Sequence, residues 1–124
     1  MSNTLHLSSI YNGMLYLPDN AVLELIGDEL EDEVFTTLHP EHGLSIYSKE
    51  KWTDIKLNLS LSPSFSPEYR CLQRIILGHV NNMVLKKYGL IIFPLSLLSM
   101  VGFDNGTTEV CLHILNGEIE IKLK

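Results

Sequence analysis

Apolar residues along this chain either alternate with polar ones or gather into short blocks, and glycine, asparagine or proline interrupts them at frequent intervals. Such spacing predicts short strands joined by tight turns, not long helices. Residues 5–10 and 14–17 are two runs separated by Asn12-Gly13, a dipeptide suited to positive φ at both central positions of a hairpin. Pro18 closes the second run, because it has no N–H to give a ladder. Residues 20–26 then switch to a helical period, with Asp19 as cap or first-turn residue, Val22, Leu23, Leu25 and Ile26 as the apolar face, and Gly27 as the stop. Residues 34–38 and 44–47 predict a second hairpin around Pro40-Glu41-His42-Gly43.

The same order returns later. Residues 82–85, a turn at 86–89, residues 90–93, a short helix over 95–101, and strands over 109–115 and 118–123 around Asn116-Gly117 repeat strand, strand, helix, strand, strand. Tyr11-Asn12-Gly13-Met14-Leu15-Tyr16-Leu17-Pro18 lies over Lys87-Tyr88-Gly89-Leu90-Ile91-Ile92-Phe93-Pro94 at a shift of 76 positions, which also brings Glu33-Val34 onto Glu109-Val110 and Leu38 onto Ile114. Gly43 meets Gly117 at a shift of 74, so the second copy is expected to lack two residues in the intervening turn. One copy is too small to bury a good core by itself. Residues 1–124 are therefore expected to form one domain, with repeats over about 5–47 and 80–124 and a connector over about 48–79.

The connector changes period. Residues 49–61 read as a helix with Trp52, Ile55 and Leu59 on one side. Ser66 caps a second helix with Pro67 in its first turn, Cys71, Leu72, Ile75 and Ile76 on its apolar face, and Arg70, Gln73 and Arg74 nearer the rim; Gly78 ends it. The turn-rich stretch 60–67 joins the two helices.

Composition narrows the function classes. Hydrophobic residues make up 45% of the chain, enough for a core, and no run approaches the ~18 apolar residues of a membrane span. The opening residues 1–6 lack the basic and apolar regions of a signal peptide, so a cytoplasmic protein is expected. Neither Cys71 nor Cys111 has a neighbour at metal or redox spacing, and both are expected to be buried as small apolar side chains. His39 and His42 flank Glu41 on a proline-containing turn without further ligands, so no metal and no cofactor is expected. Catalysis has no motif: there is no Gly-x-Ser-x-Gly and no glycine-rich loop before a helix, Gly106-Thr107-Thr108 reads as a loop, and the acidic run lacks calcium-loop spacing.

Charge is uneven. Residues 1–62 hold three lysines against ten acids and residues 63–124 six bases against five acids, within a net charge of −6. Much of the acidity is the run Asp28-Glu29-Leu30-Glu31-Asp32-Glu33, read as a solvated loop that also repels polyanions.

The segment Glu68-Tyr69-Arg70-Cys71-Leu72-Gln73-Arg74-Ile75-Ile76-Leu77-Gly78-His79 resembles the middle helix of the MraZ family of bacterial transcriptional regulators, with its pattern Arg-x-x-Gln-Arg-x-x-x-Gly. The family's two turns, Asp-x-x-Gly-Arg followed by a short strand and a proline, are echoed by Gly13 to Pro18 and Gly89 to Pro94, and the resemblance covers nearly the whole chain. It implies an α+β, β-rich fold: a double-split β-barrel from two tandem swapped-hairpin (AbrB-like) repeats with a helical connector. It also implies a nucleoid-associated, ring-shaped homo-oligomer that binds repeats in double-stranded DNA upstream of cell-division and cell-wall genes. The departures fall on the reading head. The family's Asp and Arg fall on Ile10 and Met14 in the first turn and on Lys86 and Leu90 in the second. The resemblance further implies a helical extension after the last strand, where this sequence ends at Lys122-Leu123-Lys124.

Methionine and leucine cannot present a guanidinium fork to guanine or phosphate. The candidate DNA contacts are therefore Asn12 at the first turn and Lys86 and Lys87 at the second, although two lysines on a hairpin also serve to keep an edge soluble. Arg70 and Arg74 read as helix-surface or ion-pair residues. Two readings stand: a DNA-binding regulator with weakened contacts, and a diverged oligomeric scaffold or protein-interaction module that no longer binds DNA specifically.

Overall fold

The computed structural model describes the backbone of residues 4–39, 43–61, 67, 70, 80–103 and 106–124, and the side chains of the same residues except 4, 39 and 59–61. Its elements are β1 (Thr4–Tyr11), β2 (Met14–Tyr16), α1 (Asp19–Ile26), β3 (Glu31–His39), β4 (Gly43–Ser48), α2 (Lys49–Leu61), β5 (Asn81–Lys86), β6 (Leu90–Ile92), α3 (Leu95–Met100), β7 (Thr107–Leu115) and β8 (Glu118–Leu123). Strand, strand, helix, strand, strand thus occurs twice, as the sequence pattern requires.

The strands form one antiparallel sheet in the order β5-β3-β4-β8-β7-β1-β2-β6. Its two outermost strands, β5 and β6, are consecutive in sequence and joined by the turn Lys87-Tyr88-Gly89, so the sheet curls back on itself into a nearly closed barrel. Pairing crosses between the halves: β1 lies on β7, β5 on β3, β2 on β6 and β4 on β8. Within each half the first two strands barely touch, sharing only the Tyr11↔Met14 pair in the first half. These are the two splits of a β-rich, α+β double-split barrel built from exchanged hairpins.

Register shows how the halves correspond. Val110 faces Ser8 and Leu123, while Val34 faces Met83 and Ser48. From Val34 to Val110 is 76 positions, but from Ser8 to Met83 and from Ser48 to Leu123 is 75. The expected uniform shift of 76 through the first turn is therefore corrected: Tyr11 corresponds to Lys86, not Lys87. The first turn, Asn12-Gly13, has two residues and its counterpart three. The later turn is shorter by one residue in the second copy, not two, since residues 40–42 separate β3 from β4 and Asn116-Gly117 separate β7 from β8. A one-residue slip inverts a strand's faces, so turn length absorbs the difference.

The interior is filled from every strand, with Ile10, Leu15, Val34, Leu44, Ile46, Leu85, Ile91, Leu112, Ile119 and Ile121 fully buried. Ala21, Val22, Leu25 and Ile26 of α1 and Leu97 and Leu98 of α3 pack into the same core. Leu23, expected on the α1 face, is exposed, because the buried pairs 21–22 and 25–26 set a stripe it falls outside. Pro18 is the N-cap and Asp19 the first helical residue, while Gly27 ends the helix at φ 62° with its N–H donating to the Leu23 carbonyl. Pro94 caps α3 in the corresponding place.

The helix α2 lies outside the barrel. Trp52 stacks on Phe35 with ring centroids 5.6 Å apart and meets Tyr47 at 6.0 Å, and Ile55 completes this second cluster with Val80. Leu59, Cys71, Leu72, Ile75 and Ile76 lie outside the described side chains, and of the expected second connector helix only Pro67 and Arg70, both helical, are described. The Pro40-Glu41-His42 turn and the side chain of His39 likewise lie outside them. Two loop expectations are corrected. Glu31, Asp32 and Glu33 belong to β3, and Thr107 and Thr108 to β7, because each segment has a partner strand to complete: β5 in one case and β1 in the other.

Candidate nucleic-acid interface

The two hairpin turns are built by glycines that no side chain could replace without strain. Asn12 and Gly13 take φ values of 50° and 84°, the positive pair that a two-residue hairpin turn demands. The Gly13 carbonyl accepts the Phe93 N–H at 2.8 Å, and a Cβ on Gly13 would sit 2.8 Å from the Phe93 oxygen. Gly89 mirrors it at φ 101°: its carbonyl accepts the Leu17 N–H at 2.9 Å, and a Cβ there would come within 2.5 Å of the Leu17 oxygen. The β2–β6 ladder thus continues past both ends, and the tips sit at opposite ends of it. Each glycine is clasped by the strand that leads into the other half's proline-capped helix.

This geometry separates the candidate contacts. Asn12 stands exposed at one tip, its N–H donating to the Gly106 carbonyl at 2.9 Å. Lys86 and Lys87 stand together at the other. Lys86 is the last residue of β5, directly opposite Glu31 of β3, and its ammonium is ion-paired to that carboxylate. The hydrogen bond to Glu31 pushes the Lys86 pKa up from its ordinary value. Lys87 is exposed and makes no ion pair among the described residues, while its N–H donates to the Leu30 carbonyl at 2.8 Å.

Glu31 and Glu33 were not legible as part of this site. They lie on the same face of β3, and Glu33 Oε2 accepts from Asn82 Nδ2 at 2.9 Å, so both polar side chains that β5 offers on that face are met by carboxylates. The intervening Asp32 instead pairs with Lys49 at 3.0 Å, which, with the Glu33 N–H, holds its carboxyl below the usual range. The signal was present in the alternation of Glu31 and Glu33, but only strand pairing shows what they face.

Met14 and Leu90, which stand where the resemblance places arginines, are half-buried on the outer face, opposite Ile92 and Tyr16. Tyr11, Tyr16, Val84 and Ile92 are exposed around them, and a groove along the second split is lined by Asn82, Val84, Lys86, Leu90, Ile92 and Pro94. Leu5 and Leu7 of β1 also face out, about two-thirds exposed, because the Asn12-Gly13 turn fixes a register that points Ile10 inward.

Away from the tips, Glu118 is half-buried and its pKa is raised by burial and by neighbouring Glu120, with Ser45 Oγ donating to it at 3.3 Å. His113 Nδ1 lies 3.2 Å from Glu120. Cys111 is free and half-buried, short of the full burial expected for it. Among the described residues no group of three or more acidic, histidine or cysteine side chains is placed to hold a metal, and no helix is long and apolar enough to cross a membrane.

A barrel of two exchanged-hairpin repeats with a glycine-built tip at each end of its central ladder defines the class of protein. No protein-family model matches the chain. Proteins named transcriptional regulator MraZ do: that of Marinomonas sp. (strain MWYL1) is 32% identical over 79 residues, covering 63% of this chain and 52% of that protein. The one from Coxiella burnetii (strain RSA 493 / Nine Mile phase I) is 31% identical over 83 residues, covering 66% and 55%. The one from Nitrosomonas europaea is 32% identical over 71 residues, covering 57% and 48%. These matches support membership of the MraZ family. The chain spans about half the length of the curated relatives it matches.

Proposed function

We propose that this protein is a MraZ-type transcriptional regulator, a single domain of two repeats and a connector, that meets double-stranded DNA as a homo-oligomer. Its contact is phosphate-directed and weak. The observation that carries this reading is the second tip, where Lys87 is exposed and outside the ion pairs described, while Leu90 stands where the resemblance implies a base-reading arginine. A lysine acts as a point charge that finds phosphate but does not discriminate bases bidentately. Asn12 at the far tip adds hydrogen bonding without charge, and several copies of such a tip in one assembly raise a weak contact through avidity. A soluble protein associated with the nucleoid follows from that role.

Titrating salt against binding to duplex DNA from upstream of the protein's own gene tests the proposal. Affinity should be measurable at low salt and fall steeply as salt rises, and Lys87→Ala should reduce the slope of log K against log salt by about 0.9 for each phosphate it leaves without a lysine. Tight binding insensitive to Lys87→Ala would place the DNA surface elsewhere.

The second reading, a scaffold that acts through protein contacts, is favoured by the exposed apolar side chains Leu5, Leu7, Tyr11, Tyr16 and Ile92 on the outer face of β1, β2 and β6. An apolar face of that kind marks an interaction surface. Absence of DNA binding even at low salt, together with a stable oligomer by light scattering, would select this reading.

A further inference from the structure

Two strand positions in this barrel are equivalent by register yet differ in charge. Tyr11 faces Thr107 where β1 lies on β7, and Lys86 faces Glu31 where β5 lies on β3. The first place carries no ionisable pair across the strands. At the second, the carboxylate of Glu31 is ion-paired with the Lys86 ammonium, and Glu33, on the same face of β3, accepts from Asn82 at 2.9 Å. The acids of the run 28–33 therefore do more than surround the tip with negative potential. Two of them, spaced by the period of a strand, sit on the donors that the β5–β6 hairpin would otherwise turn toward a polyanion.

We propose that the Glu31 edge of β3 is a built-in competitor for the phosphate backbone: Glu31 occupies Lys86, with Glu33 on Asn82, so that DNA gains these donors only by displacing a carboxylate of the same chain. This rests on the reading that the second tip meets DNA. The physical case is one of exchange. Phosphate binding by Lys86 releases a cation from the DNA in either case, but here the ammonium must first give up Glu31 and leave that carboxylate bare beside the backbone, so displacement yields less than binding to a free lysine does. The pair is exposed, and an exposed pair is weak enough to be displaced, which makes it a brake and not a block. The hydrogen bond to Glu31 raises the Lys86 pKa and so favours the charged ammonium, the form for which a phosphate competes with the carboxylate.

Binding of the full-length oligomer to a random-sequence duplex, measured by fluorescence anisotropy across a salt series, tests this. Glu31→Gln should lower Kd by about two- to fivefold, the range an exposed ion pair allows, and steepen the salt slope. Asp28→Asn removes one charge of the same run at an exposed position and is the control for general repulsion. The gain from Glu31→Gln should exceed that from Asp28→Asn, and it should shrink to the control's size when Lys86→Ala is also present. Equal gains from Glu31→Gln and Asp28→Asn, with measurable binding throughout, would overturn the competitor while leaving the DNA-contact reading in place. A gain that survives Lys86→Ala would overturn it as well. No binding by any variant at low salt would overturn both together. Thermal melts of the variants, expected to stay close to the parent, separate these outcomes from a folding defect.

Discussion

At the scale of single residues, two glycines set the geometry on which everything at the tips depends. A Cβ at position 89 would lie 2.5 Å from the backbone oxygen of Leu17, an atom no rotamer can move, and φ 101° disfavours any L side chain. Gly89→Ala should therefore cost about 1–3 kcal/mol, the scale of one strained backbone position, seen as a lower urea midpoint with an unchanged slope. Gly27→Ala has the same sign of φ but meets nothing within 4 Å, so its cost should be smaller. Asn12-Gly13 was readable as a hairpin because its chemistry is local. The pairing of Lys86 with Glu31 was not, because it joins residues 55 positions apart through a strand contact that no local pattern encodes. Glu118 supplies a pH prediction of the same scale. Its folded pKa is raised by burial first and by Glu120 second, so the folded chain holds that proton more readily than the unfolded chain does. Stability from this group accordingly falls as pH rises from the usual glutamate range through the raised value. Glu118→Gln should unfold at higher urea than the parent at neutral pH, and the difference should close as the pH drops below that range. A difference that persisted unchanged at low pH would mean the carboxylate's charge is not its cause.

Elements were legible where their period was long enough to show and blurred where a partner extended them. The helix α2 was predicted over its full span because Trp52 and Ile55 recur at helical spacing. Hydrophobic pattern starts strand β3 at residue 34, yet it begins at Glu31, since β5 continues alongside and offers Lys86 to the acids of the run. Hydrophobic pattern predicts what enters a core; it says little about a strand end whose two faces are both polar. The same limit hid the outward direction of Leu5 and Leu7, whose register is set by the turn that follows and not by their own hydropathy. The attachment of α2 can be tested directly. Trp52 stacks on Phe35 and packs against Tyr47 in a cluster separate from the barrel core. Trp52→Ala should cost about 3 kcal/mol, the low end for removing a buried tryptophan, because the site lies at the rim, where the chain can relax. It should loosen α2 before the barrel, so amide exchange should quicken first in residues 49–61 and leave β7 and β8 protected.

At the scale of the whole molecule, the duplication was visible as a repeated order of elements, while the register that relates the halves emerged only from the strand pairs. That register makes the two tips comparable in a way that bears on function. Met14 and Leu90 occupy equivalent outward positions in β2 and β6, and an arginine at either would restore the fork that the resemblance to MraZ regulators implies. The surroundings differ. Beside Leu90, across the second split, stand Lys86 and its partner Glu31; the equivalent positions beside Met14 are Tyr11 and Thr107, which carry no carboxylate. An arginine at 90 would meet a ready intramolecular acceptor in Glu31 and lose part of its gain to it, whereas an arginine at 14 would have Thr107 in that place, and the acid two residues on, Glu109, is already ion-paired with Lys124. Met14→Arg should therefore strengthen binding to repeat-containing duplex DNA more than Leu90→Arg does, with each good bidentate base contact worth at most about 1–3 kcal/mol of discrimination. Adding Glu31→Gln should bring Leu90→Arg up to the level of Met14→Arg and leave the latter almost unchanged. Competition binding with scrambled duplex would show whether the gain is in sequence preference or in general affinity. Should Leu90→Arg prove the stronger change in the unaltered background, the acidic strand beside the second tip does not govern what that tip can hold.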